Sequence, residues 1–114
     1  MDFSIEFYAS VAGKCPVQDF LGELQAPDDF VAVLAGLAKL KNRSYHAEPL
    51  SKSIGDGLFE LRHVGKLNTR VLWFFMKGRR IIAVHGVRNK RQAIAPSDLR
   101  TAVERMKDWQ KRVK

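Results

Sequence analysis

Between Leu58 and Arg91 the chain reads LFELRHVGKLNTRVLWFFMKGRRIIAVHGVRNKR, three apolar runs broken by Gly65, Asn68 and Gly78. Each run is rich in the branched and aromatic residues that suit a pleated, half-buried surface, and the breaks carry turn formers. The pattern predicts an antiparallel meander. In the first run, alternation sets Phe59, Leu61 and His63 on one face and Leu58, Glu60, Arg62 and Val64 on the other. In the second, Val71, Trp73 and Phe75 oppose Arg70, Leu72, Phe74 and Met76. A strand apolar on both faces belongs at the centre of a sheet. The third run, Arg80 to Val87, is also apolar on both faces and ends in a basic segment, Arg88-Asn89-Lys90-Arg91.

The flanks supply the covering elements. Phe3, Ile5 and Phe7 alternate with polar neighbours, which predicts a first strand. Pro16 suits a first helical position and is followed by Val17, Phe20, Leu21 and Leu24 at helical spacing. Pro27 starts a second helix with the stripe Phe30, Val33, Leu34, Leu37 and Leu40, and the two helices are expected to form a hairpin. Residues 42–57 read mostly as loop, with the option of a short edge strand at Pro49-Leu50-Ser51-Lys52 and a turn at Gly55-Asp56-Gly57. Pro96 opens a last helix whose inner face is traced by Leu99, Ala102, Val103, Met106 and Trp109. The expected fold is α+β: a small antiparallel-meander sheet packed on an N-terminal helix hairpin, with a C-terminal helix.

Length allows one domain over residues 1–114 of the sequence. No segment reaches the roughly 18 apolar residues of a membrane span, and the opening Met-Asp-Phe-Ser-Ile-Glu-Phe is unlike a secretory signal, so a soluble, cytoplasmic protein is expected. Cys15 stands alone and reads as a packed or tolerated thiol; no Cys/His cluster has metal spacing, and no glycine loop suits a cofactor. The net charge of +8 is unevenly placed: residues 1–57 hold 5 Lys/Arg against 8 Asp/Glu, and residues 58–114 hold 15 against 4. The basic half contains the meander. Such a field attracts phosphate polymers or an acidic partner.

The chemistry must therefore come from arginine, lysine and histidine on a small sheet. Such groups can stabilise the negative charge that builds on phosphorus when a ribose 2'-hydroxyl attacks it, a reaction that needs no metal. An arginine inside a strand pattern has to be paired, neutralised by a ligand or placed at a margin, which singles out Arg62 and Arg70. Proton transfer draws attention to His63, His85 and the carboxylate of Glu60. His63 falls on the apolar face of its run and reads as structural, His46 reads as solvated, and Arg79 and Arg80 read as a solvated turn.

The segments Leu58-Phe59-Glu60-Leu61-Arg62, Thr69-Arg70-Val71-Leu72-Trp73-Phe74-Phe75, His85-Gly86-Val87-Arg88-Asn89-Lys90 and Arg105-Met106-Lys107-Asp108-Trp109, in that order after a strand and two helices, resemble the RelE/ParE superfamily of type II toxin-antitoxin toxins. The nearest branch resembles the phage-type HigB-like group. The resemblance implies an endoribonuclease that cuts messenger RNA on the ribosome by 2'-hydroxyl attack and is held inactive in a hetero-oligomer with an antitoxin. That antitoxin is expected to be a helix-turn-helix protein with an acidic contact segment. Carried over residue by residue, Arg62, Arg70, His85 and Arg88 are the expected catalytic set, and Lys66, Lys90 and Arg91 the expected RNA-binding set. Glu60 departs from relatives with lysines on this strand, and no tyrosine follows the last strand. Two alternatives remain open on the same fold: a ParE-like gyrase inhibitor, and a degenerate toxin that only binds its antitoxin.

Overall fold

A computed structural model describes residues 2–24, 27–62, 69–88 and 93–113, leaving aside the side chains of 27 and 28. The elements are β1 (Ser4–Phe7), α1 (Pro16–Gly22), α2 (Pro27–Lys39), a 3-10 turn at Arg43–Tyr45, β2 (Ser51–Gly55), β3 (Leu58–Arg62), β4 (Thr69–Met76), β5 (Arg80–Arg88) and α3 (Pro96–Arg112). Each of the three α-helices begins at the proline expected to open it, where a missing N–H costs nothing.

The five strands form one mixed sheet in the order β1-β5-β4-β3-β2. Strands β2 to β5 are the antiparallel part, whereas β1 lies parallel to β5 with Ser4 opposite Arg80 and Phe7 opposite Ala83. Two features differ from the expectation. The first strand precedes the helices as expected, but where a helix hairpin was expected each helix makes its own contact with the sheet, α1 on β5 and α2 on β3 and β4. The segment read mostly as loop also contains β2, reached from β3 through a turn with positive φ at Gly55, Asp56 and Gly57. Ser-Lys-Ser-Ile-Gly has little hydrophobic alternation because an edge strand buries little.

The period-two reading of the meander holds. Leu61, Val71, Trp73, Ile81 and Ala83 pack with Val17, Leu21, Leu24, Val33, Leu37 and Leu40 beneath α1 and α2. Leu58, Leu72, Phe74, Ile82 and Val84 pack with Ala102 and Met106 beneath α3. The sheet is thus sandwiched between helices. On α2, however, Phe30 and Leu34 are 37% and 40% exposed, so the stripe expected to be buried is only partly used. Toward the C-terminal end of β5, a Cβ on Gly86 would run into the Phe20 ring, which shows how closely α1 approaches the strand.

His46 is not the solvated residue expected. Its Nε2 lies 2.6 Å from the Leu40 carbonyl oxygen, and its ring lies 4.7 Å from Phe3, 5.2 Å from Phe75 and 5.6 Å from Trp73. It ties the segment after α2 to the sheet. Arg80 is likewise not merely solvated, since it donates from Nε and Nη2 to the two Glu6 carboxylate oxygens at 2.6 and 2.8 Å, joining β1 to β5.

A second polar tie holds the end of α3. The Tyr8 hydroxyl donates to Asp108 Oδ2 at 2.6 Å, and Arg112 donates to the same carboxylate and to the Ala9 carbonyl. Hydrogen bonds from Arg80 hold the Glu6 carboxyl below its ordinary value near 4.5, and those from Arg112 and Tyr8 hold Asp108 below 3.8. Burial, with Asp108 beside it, pushes Tyr8 above 10.0.

The signs give a pH prediction. A carboxyl with a depressed folded value contributes stability above its unfolded value, and that contribution is lost as the pH falls through the folded value. The raised tyrosine contributes below its unfolded value and loses that contribution as the pH rises through the folded one. The melting temperature should therefore be flat between about pH 5 and pH 9 for these groups and fall on both sides. A pH series of melts on wild type and Glu6→Gln checks it: the variant should show a shallower acid decline, and an identical decline would remove Glu6 from the account.

Candidate functional site

On the α3 face of the sheet, polar residues replace the apolar ones toward the end where β3 leaves and β4 begins. Strand register arranges them in two adjacent rows. Lys52 is opposite Glu60, Glu60 opposite Leu72, and Leu72 opposite His85; one step on, Arg62 is opposite Arg70 and Arg70 opposite Val87. Arg70 and His85 are therefore diagonal neighbours across β4 and β5, within reach of long side chains.

Two arginines directly opposite each other repel, and a counter-charge has to accompany them. Glu60 supplies it. Its Oε1 lies 3.2 Å from Arg62 Nε and its Oε2 lies 3.6 Å from Arg70 Nη1. Glu60 and Arg70 are 3% and 5% exposed, so this carboxylate is held in the sheet by charge pairing rather than by water. The pairing is incomplete: Glu60 Oε2 is buried with no hydrogen-bond partner. Glu60 and Arg70 line a cavity of about 190 Å³ with Lys52, Ile54, Ala93, Ile94 and Leu99. It is large enough for a phosphate-sized group.

His85 reaches this face through a bulge. Leu72 is opposite His85 but Trp73 is opposite Ala83, so Val84 is an extra residue and both Val84 and His85 turn toward α3. Strict alternation would have put His85 with Ile81 and Ala83 under α1. Its Nδ1 is 2.9 Å from Arg105 Nη1, and its Nε2 is 2.8 Å from Asp98 Oδ1. A guanidinium only donates, so Nδ1 accepts, and the ring proton lies on Nε2 and is given to Asp98. Arg105 also donates to the Val84 carbonyl at 2.8 Å, which fixes it against the bulge. Burial pulls the Arg105 guanidinium below its usual range, with Tyr8 opposing the shift.

Of the expected catalytic set, the structure joins Arg62 and Arg70 through Glu60, while His85 is a diagonal neighbour of Arg70 by register but lines a separate cavity with Asp19, Phe20 and Arg105. Arg88 stands apart: it is opposite Thr69, which alternates with Arg70, so by register it belongs to the Val71 face, where it is exposed. Lys66, Lys90 and Arg91, expected to bind RNA, and His63 lie outside the described residues. Three members were not anticipated from the sequence. Lys52 lies in a segment whose residues read mostly as loop, with the option of a short edge strand, and give it no role. Asp98 and Arg105 lie off the apolar stripe that traces the inner face of the last helix, although their spacing of seven sets them on one face two turns apart. Among the described residues, no group of three His, Cys, Asp or Glu side chains is placed to hold a metal ion. Among the same residues, no helix is long and apolar enough to cross a membrane.

The cluster around Glu60 can offer an anion two guanidinium groups and an ammonium beside a carboxylate, and His85, with a defined tautomer, stands diagonal to Arg70 on the next strand. Residues 19–107 match the family of phage-derived Gp49-like proteins (DUF891), a span that runs from within α1 to within α3 and includes every member of the cluster. No curated protein matches the chain. The chain belongs to the Gp49-like family, a family of toxin-antitoxin toxins within the RelE/ParE-like superfamily.

Proposed function

We propose that the protein is the toxin of a type II toxin-antitoxin system, of the phage-type HigB-like branch, and acts as a ribosome-dependent messenger RNA endoribonuclease in the cytoplasm. The observation that carries this reading is the buried Glu60 flanked by Arg62 and Arg70, with His85 diagonal to Arg70 on the same face. Arg70 and Arg62 are assigned to the charge that develops on the phosphorus oxygens. Glu60, whose Oε2 has no hydrogen-bond partner, is assigned to accept the 2'-hydroxyl proton. His85 is assigned to deliver a proton to the departing 5'-oxygen, which requires its ring to turn from Asp98 to the substrate. Arg88, on the opposite face of the sheet, is assigned to the RNA backbone, as are Lys66, Lys90 and Arg91.

One observation favours a competing reading. Glu60 already neutralises the two arginines, as expected of a toxin that has lost its chemistry and only binds its antitoxin. Mapping message ends in a translating extract, with and without ribosomes, separates the readings. Ribosome-dependent cuts ending in a 2',3'-cyclic phosphate are the expected result. Intact message with gyrase-dependent DNA breaks decides for a ParE-like inhibitor, and neither event decides for the partner-only reading.

A further inference from the structure

A larger cavity than the one at the polar cluster lies elsewhere. It is a groove of about 540 Å³ between α2 and the segment that leads into β2, floored by Ala35, Gly36, Leu50 and Leu61. It continues onto a helix face that no described residue covers: Val31 is 63% exposed and Leu34 40%, and Ala35 and Ala38 are also exposed. A helix apolar on its solvent side is one that packs against something. Gly36 matters to the shape, because a Cβ there would come 3.2 Å from the Leu61 side chain and raise the floor.

The margin shows what kind of occupant fits. Lys39 and Arg62 line the groove, and Lys41 and Arg43, both exposed, continue the basic margin past the end of α2; Glu48 is the acidic group on the opposite wall. A second copy of this chain would bring like charges together, on top of a net charge of +8 for each. We propose that this groove receives a helix of the antitoxin, with an apolar stripe facing Ala35 and Leu61 and carboxylates meeting Lys39 and Arg62. The proposal rests on membership of a toxin-antitoxin family and adds the docking surface.

Arg62 links this surface to the cluster. Its Nη1 is 3.9 Å from Glu48 Oε1 at the groove, while its Nε is 3.2 Å from Glu60 Oε1 in the cluster. A carboxylate seated at the groove's end competes with Glu60 for the same guanidinium. The partner therefore removes Arg62 from the cluster without entering the 190 Å³ cavity.

The test uses the full chain and, as probe, a synthetic amphipathic helical peptide with leucines at i, i+3, i+4 and i+7 and glutamates along both margins. Its affinity is read by fluorescence anisotropy, next to a peptide with lysines at the margins. The glutamate peptide should bind wild type, and the lysine peptide should not. Ala35→Glu, at an exposed helical position that tolerates glutamate, should keep the wild-type melt and weaken binding by about tenfold or more. Equal binding to wild type and Ala35→Glu overturns the groove, as does failure of the glutamate peptide to bind. Sedimentation of wild type as a dimer, abolished by Ala35→Glu, overturns it in favour of a second copy. If the peptide binds as expected but no message is cut, the ribonuclease reading falls and the docking surface stands.

Discussion

Arg70→Ala is expected to lower message cleavage in a translating extract by on the order of 100-fold or more, the usual effect of deleting one donor to transition-state charge. Arg70 is the natural position for this test because it is 5% exposed and shares a cavity with Glu60, so its guanidinium is presented by the sheet rather than by a mobile surface. Deleting it also leaves Glu60 buried with Arg62 alone, and breaking a buried pair costs about 3–5 kcal/mol. A melt has to accompany the assay. Arg70→Ala combined with Glu60→Gln removes the stranded charge and should regain much of the melting temperature while cleavage stays low. Cleavage by a folded Arg70→Ala at the wild-type rate would remove this cluster from the chemistry.

Trp73→Ala should be the most destabilising single change in the core. The side chain is fully buried, stacks on Phe59 at 4.7 Å between ring centroids and meets Phe75 edge-on at 4.9 Å. Truncating a buried tryptophan costs about 3–5 kcal/mol through lost burial and the cavity left behind. At roughly 4 °C for each kcal/mol in a domain of this size, the melting temperature should fall by about 12–20 °C. Trp73→Phe is the informative comparison, because Trp73 Nε1 is buried with no hydrogen-bond partner and its loss costs no bond. The phenylalanine variant should lose much less. Equal losses for the two variants would mean that the position is governed by indole size alone.

Much of this arrangement was legible in the residues. Period-two alternation sorted Val71 and Trp73 from Arg70, Leu72 and Phe74, and the prolines at 16, 27 and 96 marked helix starts because their fixed φ suits a first turn. Arg62 and Arg70 were found by asking what a charge does inside a strand. The rest depended on events that sequence periodicity does not register. A single extra residue at Val84 reversed the face of His85, and it has no compositional signature. The parallel pairing of β1 with β5 is a choice between sheet edges that local pattern leaves open. His46 lies in a polar stretch, yet tertiary contacts gave it three aromatic neighbours. On α2 the spacing identified an apolar face correctly but could not say that part of it stays uncovered.

The pairing of β1 with β5 bears on how the molecule comes into being. Glu6 and Arg80 are 74 residues apart along the chain, and the strands they join are the first and last of the five in chain order. Loop closure over such a separation is entropically costly before any contact rewards it, and topologies of this kind form slowly. During synthesis, the meander strands β3 and β4 emerge ahead of β5, and β1 has no neighbour until β5 follows. His85 is part of that same last strand. His85 and its partners on α3 therefore join the Glu60 group late, and a nascent chain that has not yet completed β5 carries its arginines with Glu60 but without His85 beside them.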